Sequence, residues 1–422
     1  MTSLSLLLWI LFAIALQVGL FLGIGYWRHW QAFRQLKRGG PAPEGHEVPS
    51  STLVPHGGAW PGWRTFKVAR REWEDARHDI CSFYLEPLNQ EGLTPFRPGQ
   101  FLTFRLEIPA PEGPGTEAVT RCYSLSDRAH PGHYRITVKR VPSPPGSNYP
   151  VGRSSNYLHE HAQVGTNLQV RAPSGHFYLE PGTEPVVLIA GGIGVTPLLS
   201  MLQWCQAHAP ERELWFFYGV RNSEEAAFAS QLNAIAAANS RVRLHLCLSQ
   251  PLPGDLDKGL FHHSGRVDVN LLRMHLPLRP YHYYLCGPAP MLESLVPELE
   301  AWGVPTSSIH YEAFGPASIT RKQTGPEPAP SSHHMPGTGI TVTFSKSGKQ
   351  VPWTAESANL LAFAEAQGIA IDSGCRAGAC GSCQTRILSG QVSYPHTTDY
   401  DADPGTGLMC VCTPTTDLTL EA

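Results

Sequence analysis

The chain has 422 residues, which corresponds to about two to four domains. Its hydrophobic content of 42% is ordinary for a globular protein, and its net charge of −3 gives no basic footprint, so we expect no nucleic-acid partner. The ten cysteines favour a reducing compartment over a disulfide framework. The nineteen histidines are scattered without an H-x3-H or HExxH pair, and we interpret them mostly as surface residues.

The first predicted element is an uncharged apolar segment over residues 4–27, which is long enough to cross a bilayer as a helix. Basic residues such as Arg28 and Arg34 follow it directly, whereas none precedes it. The positive-inside rule therefore predicts a single-pass anchor in the inner (cytoplasmic) membrane, with the following domains in the cytoplasm. A cleaved signal peptide would need a basic n-region, a shorter apolar stretch and a small-residue cleavage site. Residues 28–59 are predicted to form a linker that becomes rich in Pro and Gly.

Residues 60–180 contain short runs of strand-like sequence separated by turns, among them FKVARREWE, ICSFYLEPL, GQFLTFRLEI and YRITVKRV. This pattern predicts a small antiparallel β-barrel. Two motifs lie within it. The first is RCYS, from Arg121 to Ser124, and the second is GRSSNYLHEH, which begins at Gly152.

Residues 184–315 have a different hydrophobic pattern. Apolar runs typical of buried strands, such as PVVLIAGG and ELWFFYGV, alternate with helical stretches. The alternation predicts an α/β domain with a doubly wound parallel sheet. Its first strand runs into the glycine turn GGIGVTP, which opens a helix at a place suited to a dinucleotide pyrophosphate. Two later motifs are CGPAPM, from Cys286 to Met291, and YEAFG, which contains Glu312 and Phe314.

Residues 316–338 are rich in Pro, Ser and Gly and are predicted to form a flexible linker. The last domain, residues 339–422, begins with strand-like ITVTFSKSG and KQVPWTA and continues with the amphipathic helix NLLAFAEAQG. The linker would let this domain move relative to the preceding ones.

Four cysteines of the last domain have the C-x4-C-x2-C…C spacing of a plant-type [2Fe-2S] site. We predict as ligands Cys375, Cys380, Cys383 and Cys410. Small residues in the loop let its backbone N–H groups turn towards the cluster. A structural zinc site is the alternative, although zinc favours paired C-x2-C knuckles. Cys412 is the alternative fourth ligand.

These motifs, in this order, resemble those of the ferredoxin-NADP reductase superfamily followed by a plant-type ferredoxin domain. The SNYLH segment is especially similar to the reductase part of flavohaemoglobins. The domain order is similar to that of the reductases of phenylacetyl-CoA epoxidase, ketosteroid hydroxylase and hybrid-cluster protein systems. The resemblance covers about residues 60–422 and implies a flavin-binding barrel, an NAD(P)-binding domain and a β-grasp ferredoxin domain. The membrane anchor departs from these soluble relatives.

For the flavin, the resemblance implies that Arg121 neutralises the pyrophosphate, that Tyr123 packs against the isoalloxazine and that Ser124 hydrogen-bonds near N5. Cys122 completes this motif. The second motif would offer backbone N–H groups and hydroxyls to the phosphates. Its residues are Gly152, Arg153, Ser154 and Ser155.

For the nicotinamide, the resemblance implies that Cys286 lies beside C4 and that Glu312 places the reacting ring or relays protons. Phe314 would cover the flavin face until the nicotinamide displaces it. The implied catalytic residues are therefore Ser124, Cys286 and Glu312. The other implied nucleotide-binding residues are Gly191, Gly192, Gly194, Thr196, Pro197, Gly287, Pro288 and Met291.

The resulting hypothesis is a membrane-anchored reductase that passes electrons from NAD(P)H through FAD and [2Fe-2S] to a protein such as an oxygenase, hydroxylase or desaturase. The alternatives are a respiratory NADH:quinone reductase and a redox sensor without turnover. FAD is favoured over FMN because of the SNYLH segment. Arg221 could meet the 2′-phosphate of NADPH but could equally be a surface residue, so the preference for NADH is slight.

Overall fold

The structure is a computed structural model, and it describes residues 60, 62–89, 91–110, 113–143, 151–314, 339–354, 357–371, 373–376, 378, 380–395, 398, 400 and 402–422. The predicted membrane span over residues 4–27 and the predicted linkers over residues 28–59 and 316–338 lie outside them. In the part of the chain that is described, no helix is long and apolar enough to span a bilayer. All described residues belong to one compact unit, residues 56–422.

The first domain is an antiparallel six-stranded sheet with the neighbour order β4-β3-β6-β1-β2-β5. Its strands are β1 (Arg64–Trp73), β2 (Ile80–Pro87), β3 (Phe101–Pro109), β4 (Thr116–Ser124), β5 (Tyr134–Lys139) and β6 (Asn167–Ser174). A bridge between Leu125 and Ile136 joins the two edges, so the sheet closes into the predicted barrel. A helix, α1 (Arg153–His161), precedes β6.

Side-chain alternation explains why these segments are strands. In β3, Phe104 and Leu106 are buried inside the barrel while Arg105 and Glu107 are exposed, which is the period of two expected for a half-buried strand. In β4, only Val119 and one other residue are buried. The strand that carries the RCYS motif therefore has a weak hydrophobic signal of its own.

The second domain is a six-stranded parallel sheet with the order β10-β9-β8-β7-β11-β12. Its strands are β7 (Val186–Gly191), β8 (Leu214–Val220), β9 (Val242–Leu248), β10 (His263–Ser264), β11 (His282–Pro288) and β12 (Ile309–Phe314). Its helices are α2 (Val195–His208), α3 (Ala229–Ala238), α4 (Val269–His275) and α5 (Ala289–Ala301). After β7, the chain places β8, β9 and β10 in turn on one side of that strand. It then places β11 and β12 on the other side of β7. The switch point of this doubly wound sheet thus lies between β7 and β11, where such folds bind ligands.

The central strand β7 is buried at every residue, because helices cover both faces of the sheet. Leu188 contributes to the core on one face, with α2, and Ile189 to the core on the other face, with α5.

The third domain is a five-stranded mixed sheet with the order β14-β13-β19-β15-β17. Its strands are β13 (Thr341–Phe344), β14 (Lys349–Pro352), β15 (Gln384–Ser389), β17 (Thr406–Leu408) and β19 (Leu418–Leu420), and β16 (Val392–Ser393) pairs separately with β18 (Thr413–Pro414). The helix α6 (Leu360–Ala366) begins at Asn359, whose side chain accepts a hydrogen bond from the Ala362 N–H at 2.9 Å. The Phe363 ring of this helix stacks near that of Phe344, 6.3 Å away, so helix and sheet share one core. This arrangement agrees with the predicted β-grasp fold.

Candidate functional site

The glycine turn after β7 packs directly against the CGPAPM segment after β11. A side chain at Gly194 would place its Cβ 2.1 Å from the Cys286 carbonyl oxygen, and one at Gly191 would lie 2.5 Å from Met291 Sδ. Gly192 has φ +54°, a conformation that favours glycine. Only residues without a side chain allow the two segments to approach this closely. The two motifs therefore form one surface at the switch point of the sheet.

The same turn opens α2. The Thr196 hydroxyl donates to the Ile193 carbonyl oxygen at 3.0 Å, and Pro197 is buried in the first turn of the helix. Gly287 adds to the close contact, since its Cβ would lie 3.1 Å from Gly191 Cα. Pro288 occupies the N-cap position of α5. The N-terminus of α2 thus faces the place where a dinucleotide phosphate is expected to bind.

Ser124, Cys286 and Glu312 come together although they belong to three strands. Cys286 and Glu312 are direct partners in the register of β11 and β12, and Ser124 lies near enough to the Glu312 carboxyl group to affect its pKa. Burial raises the pKa of Glu312 to about 8, and the polar Ser124 side chain opposes that rise. Burial also raises the pKa of the fully buried Cys286 thiol. Near neutral pH the structure therefore holds a protonated carboxyl group beside a neutral thiol.

Glu312 Oε2 is buried and has no hydrogen-bond partner among the described residues. An orphaned acceptor or donor of this kind is costly in a folded protein unless a ligand completes its bonding. Its position beside Ser124 thus fits a site that is completed by a bound cofactor.

Two aromatic residues flank this site. Tyr123 packs edge-on against Phe104, with ring centroids 5.7 Å apart and planes at 69°, and burial raises its pKa. Phe314 pairs with Pro288 at the end of β12 and packs against the core of the second domain. The two rings thus lie near the ends of β4, in the first domain, and of β12, in the second domain.

The segment predicted to bind the flavin phosphates forms the N-terminal turn of α1, with Gly152 as its cap. The Ser155 hydroxyl donates to the Gly152 carbonyl oxygen at 3.1 Å, which holds the turn in shape. Ser154 Oγ is buried and has no partner in the described part of the chain, so it fits a phosphate oxygen. The Arg153 guanidinium is exposed and pairs with Glu117 at 2.9 Å.

The four predicted cluster ligands also gather at one place. The thiols of Cys375 and Cys380 are within hydrogen-bonding distance of each other, as are those of Cys383 and Cys410. The Cys375 N–H donates to Cys380 Sγ at 3.2 Å, and the Cys410 N–H donates to Cys383 Sγ at 3.5 Å. Backbone donors aimed at sulfur stabilise thiolates, so this donor set fits an iron-sulfur cluster.

The loop that carries three of these cysteines is tightly wrapped. Its backbone takes positive φ at Arg376 (55°), Gly378 (72°) and Gly381 (73°). Cys412, the alternative ligand, is fully buried in the core of the third domain, and its N–H donates to the Leu408 carbonyl oxygen at 3.2 Å. Cys410 therefore has the direct contact with Cys383, and Cys412 has a packing role.

The cluster loop docks on the barrel strand that carries the RCYS motif. Cys122 lies within hydrogen-bonding distance of Cys380, and Phe101 packs against the same pair. The Arg121 guanidinium donates to the Ser373 carbonyl oxygen at 3.3 Å and to the Thr120 carbonyl oxygen at 2.7 Å. Cys122, the second residue of the RCYS motif, therefore contacts Cys380, a predicted cluster ligand.

Sequence analysis missed Arg171 on β6. Its Nη1 donates to the Cys380 carbonyl oxygen at 2.7 Å, and its guanidinium lies over the rings of Trp63 (4.5 Å) and Tyr400 (4.9 Å). No motif surrounds Arg171 in the sequence, so only its contact with the distant loop identifies it.

Arg221, the candidate for a 2′-phosphate, is paired with Glu225 at 2.8 Å. Glu225 is buried and also binds Lys139 at 3.0 Å and Arg77 at 3.5 Å. The pKa of Glu225 is lowered, because these cations outweigh the effect of burial. The Arg221 guanidinium is thus part of an ion-pair network between the first two domains.

Comparison with known families identifies three domains in the order seen in the fold. Residues 70–178 match the oxidoreductase FAD-binding domain, residues 188–296 the oxidoreductase NAD-binding domain, and residues 342–415 the 2Fe-2S iron-sulfur cluster binding domain. FAD, NAD(P)H and a [2Fe-2S] cluster are therefore the cofactors of this chain.

Two curated relatives are flavohemoproteins. The chain is 40% identical over 265 residues to that of Rhodopirellula baltica and 38% identical over 261 residues to that of Halalkalibacterium halodurans. The alignments cover 61% and 62% of this chain, and in each case 62% of the relative. The chain thus spans less than two thirds of the length of these relatives.

Two solved structures have similar folds. The FAD/NAD-binding domain of a nitric oxide dioxygenase from Vibrio cholerae superposes with a TM-score of 0.53 at 30% identity, covering 60% of this chain and 100% of that one. An intact type IV self-sufficient cytochrome P450 monooxygenase superposes with a TM-score of 0.54 at 25% identity, covering 85% of this chain and 41% of that one. The second similarity extends over most of the described chain.

Proposed function

We propose that this NAD(P)H-dependent flavoprotein oxidoreductase delivers electrons from NAD(P)H, by way of FAD and the [2Fe-2S] cluster, to a protein acceptor at the membrane such as an oxygenase, hydroxylase or desaturase. Bound flavin supplies the chemistry that converts the two electrons of a hydride into single electrons, which the cluster carries. The observation that carries the proposal is the contact of Cys122, in the flavin motif, with Cys380, in the cluster loop. Because the two cofactor sites share this contact, electrons need no intermediate carrier between them.

At the hydride-accepting end, we assign the catalytic roles to Ser124, Cys286 and Glu312. The Ser124 side chain lies near the Glu312 carboxyl group and opposes the rise of its pKa. The Glu312 carboxyl group retains its proton near neutral pH, because burial raises its pKa to about 8. These residues would position the reacting nicotinamide and hold a proton beside it.

For the flavin phosphates, we assign Arg121 and the turn from Gly152 to Ser155. The Ser154 hydroxyl, which has no hydrogen-bond partner among the described residues, supports the assignment of the turn. Replacing Arg121 with Ala should release FAD from the purified protein, which the ratio of flavin absorbance to protein measures. Full retention of FAD would remove Arg121 from the assignment.

For the nucleotide, we propose a preference for NADH. The Arg221 guanidinium is held by Glu225 at 2.8 Å, so a 2′-phosphate would have to compete with a buried carboxylate for it. The measurement is kcat/KM for NADH and NADPH in the same preparation. A higher kcat/KM for NADPH would contradict the proposal.

For the location, we propose that residues 4–27 anchor the protein in the cytoplasmic membrane. The uncharged apolar composition of the segment and the basic residues after it support this proposal. Anchoring confines the reductase and its acceptor to one surface and raises their effective concentration. A variant that lacks residues 1–38 should move to the soluble fraction with its NADH oxidation intact. A truncated protein that stays in the membrane fraction would show that the anchor lies elsewhere.

The proposed protein acceptor is supported by the similarity of most of this chain to a self-sufficient cytochrome P450 monooxygenase. Reduction of quinone is the alternative, and the two functions separate in one experiment. The full-length protein is reconstituted into vesicles with a quinone but without another protein, and NADH oxidation is followed. We expect slow oxidation under these conditions and rapid oxidation after the native membrane is added. Rapid quinone reduction without any added protein would favour the alternative.

The order of electron transfer is tested by anaerobic stopped-flow mixing with NADH. We expect flavin bleaching first and cluster reduction afterwards, with the cluster signal developing in the absence of any acceptor. Bleaching of the flavin without subsequent cluster reduction would contradict the proposed route.

A further inference from the structure

Three histidines of the second domain meet at one edge of the parallel sheet. Their spacing in the sequence does not predict this contact. They are His245 on β9, His263 on β10 and His275 in the last turn of α4. Their ring nitrogens all lie within 4.8 Å of one another. The histidines are interpreted from the sequence mostly as surface residues, and these three are half-buried and clustered.

The three rings lie close to one another. His245 Nδ1 lies 2.9 Å from His263 Nε2, and the His275 ring centroid lies 4.4 Å from that of His245 and 4.8 Å from that of His263. Zinc–imidazole bonds of about 2.0–2.1 Å in a tetrahedral site place ligand nitrogens about 3.3–3.4 Å apart. To hold one metal ion, the closest pair would open by about 0.4 Å, and the other nitrogens, which lie within 4.8 Å of one another, would move to the same separation.

Packing holds the His245 ring in place. It stacks on Phe217 of the neighbouring strand, with centroids 4.6 Å apart and planes at 11°, and on Trp215 with planes also at 11°. The register of β8 and β9 pairs Phe217 directly with His245. A ligand that is fixed before the metal arrives loses little conformational freedom on binding.

A cation can approach the three imidazoles from solvent. The guanidinium of Arg243, on the same strand as His245, pairs with Glu213 at 2.6 Å, and Glu213 also pairs with Arg279. All three histidines are half-buried, so a metal ion can reach them from solvent.

We propose that His245, His263 and His275 form a three-histidine site for a divalent zinc-type cation, with a fourth position open to water. Neutral imidazoles are preferred ligands of Zn²⁺, and three protein ligands plus solvent is a common coordination for that ion. A bound ion would connect β9, the two-residue edge strand β10 and α4. The site is separate from the hydride site, because β9 and β11 are three strands apart, about 14 Å across the sheet.

His262 provides a matched control, since it neighbours the site without belonging to it. Its Nδ1 accepts a hydrogen bond from the Leu246 N–H at 2.9 Å, which places its remaining proton on Nε2. Its ring centroid is 6.3 Å from that of His245. His262→Gln should therefore leave metal binding intact.

The test uses the full-length protein with FAD and the cluster in place, verified by its iron, acid-labile sulfide and flavin content, so that no cysteine site is vacant for zinc. Equilibrium dialysis against buffered Zn²⁺, followed by elemental analysis, should give one zinc per chain for the wild type and for His262→Gln. The affinity of His275→Gln and of His245→Gln should fall by about tenfold or more. Zinc should also raise the Tm of the wild type, because it binds the folded state alone, and should not raise that of His275→Gln.

His275→Gln is the decisive variant, because the residue ends a surface helix and its replacement should leave the domain folded. Retained NADH oxidation and flavin content establish that the variant is folded. Equal zinc binding by the wild type and His275→Gln, or no zinc retained by the folded wild type, would overturn the proposal. Loss of zinc from His262→Gln to the same degree would overturn the assignment of the three ligands.

Discussion

The Arg171 guanidinium, on a strand of the flavin barrel, donates a 2.7 Å hydrogen bond to the carbonyl oxygen of Cys380 in the cluster loop. The rings of Trp63, from the barrel, and Tyr400, from the ferredoxin domain, lie within 5 Å of the same guanidinium, at 4.5 and 4.9 Å. The Tyr400 ring in turn packs over Gly381, where a Cβ atom would lie 2.5 Å from the ring of Tyr400. Arg171 thus fixes the loop next to the contact between Cys122 and Cys380. The distance that an electron travels between the two cofactor sites depends on this arrangement.

Replacing Arg171 with Ala should slow cluster reduction while leaving hydride transfer unchanged. A charge-assisted hydrogen bond contributes about 1.5–3 kcal/mol, so the docked arrangement should become about tenfold or more less populated. Stopped-flow spectroscopy separates flavin bleaching from cluster reduction. Arg105→Ala is the control, because Arg105 lies on the adjacent strand and pairs with Glu107 at 3.2 Å. Equal cluster-reduction rates in the wild type and Arg171→Ala would contradict the role of this contact.

The rate of flavin reduction should fall as the pH rises through about 8, because Glu312 then loses its proton. Its folded-state pKa is raised by burial, so the neutral form is present below pH 8 and the carboxylate above it. Glu312→Gln stays neutral at every pH and should give a profile without this inflection. Ser124→Ala removes the polar side chain that lowers this pKa, so the inflection should move to higher pH. An unchanged inflection in Glu312→Gln would assign it to another group.

The fourth cluster ligand can be identified by comparing Cys410→Ser with Cys412→Ala. Both cysteines are buried in the domain core, but the N–H of Cys410 is directed to the Cys383 sulfur, whereas the N–H of Cys412 is directed to the Leu408 carbonyl oxygen. Cys410→Ser should lose the paramagnetic signal of the reduced cluster but still reduce ferricyanide with NADH, as should Cys380→Ser. Cys412→Ala should keep the signal. The reverse pattern for Cys410 and Cys412 would exchange their roles.

Replacing Gly194 with Ala should damage the nucleotide site without releasing the flavin. The new methyl group would lie 2.1 Å from the Cys286 carbonyl oxygen, which is backbone and has no rotamer to adopt. Overpacking of this kind costs about 1–3 kcal/mol, so a lower Tm and a higher KM for NADH are expected. Gly92→Ala is the control, because its Cβ would meet no atom within 4 Å. A wild-type KM in Gly194→Ala would show that the two segments can separate at little cost.

The motifs near the hydride site could be predicted from the sequence because each is local. Gly191 to Pro197 follow one strand directly, and a parallel sheet necessarily brings the ends of its strands to one edge. The same rule brings Cys286 and Glu312 together on adjacent strands. What could not be predicted was that Glu312 would be buried deeply enough for its pKa to rise, since burial depends on how the barrel covers the strand ends.

The cluster ligands show the same difference between what the sequence predicts and what the tertiary structure decides. The spacing of Cys375, Cys380 and Cys383 is enough to predict the chemistry of the loop, because one short segment must wrap around one small cofactor. The sequence favours Cys410 over Cys412 only through the family pattern, since the two cysteines are two residues apart. Both are buried in the core of the third domain, and the fold directs the N–H of Cys410 to the Cys383 sulfur.

The sequence by itself thus determined the domain order, the cofactors and the candidate residues of each motif, because these depend on local patterns that a short segment carries. The tertiary structure alone decided the contacts between segments that are distant in the chain. Arg171 meets Cys380, Cys122 faces the cluster loop, and His245 meets His263 and His275, although no spacing rule relates these residues. The physical reason is that such contacts depend on how strands and domains pack against one another, and that packing is a property of whole surfaces rather than of any single motif.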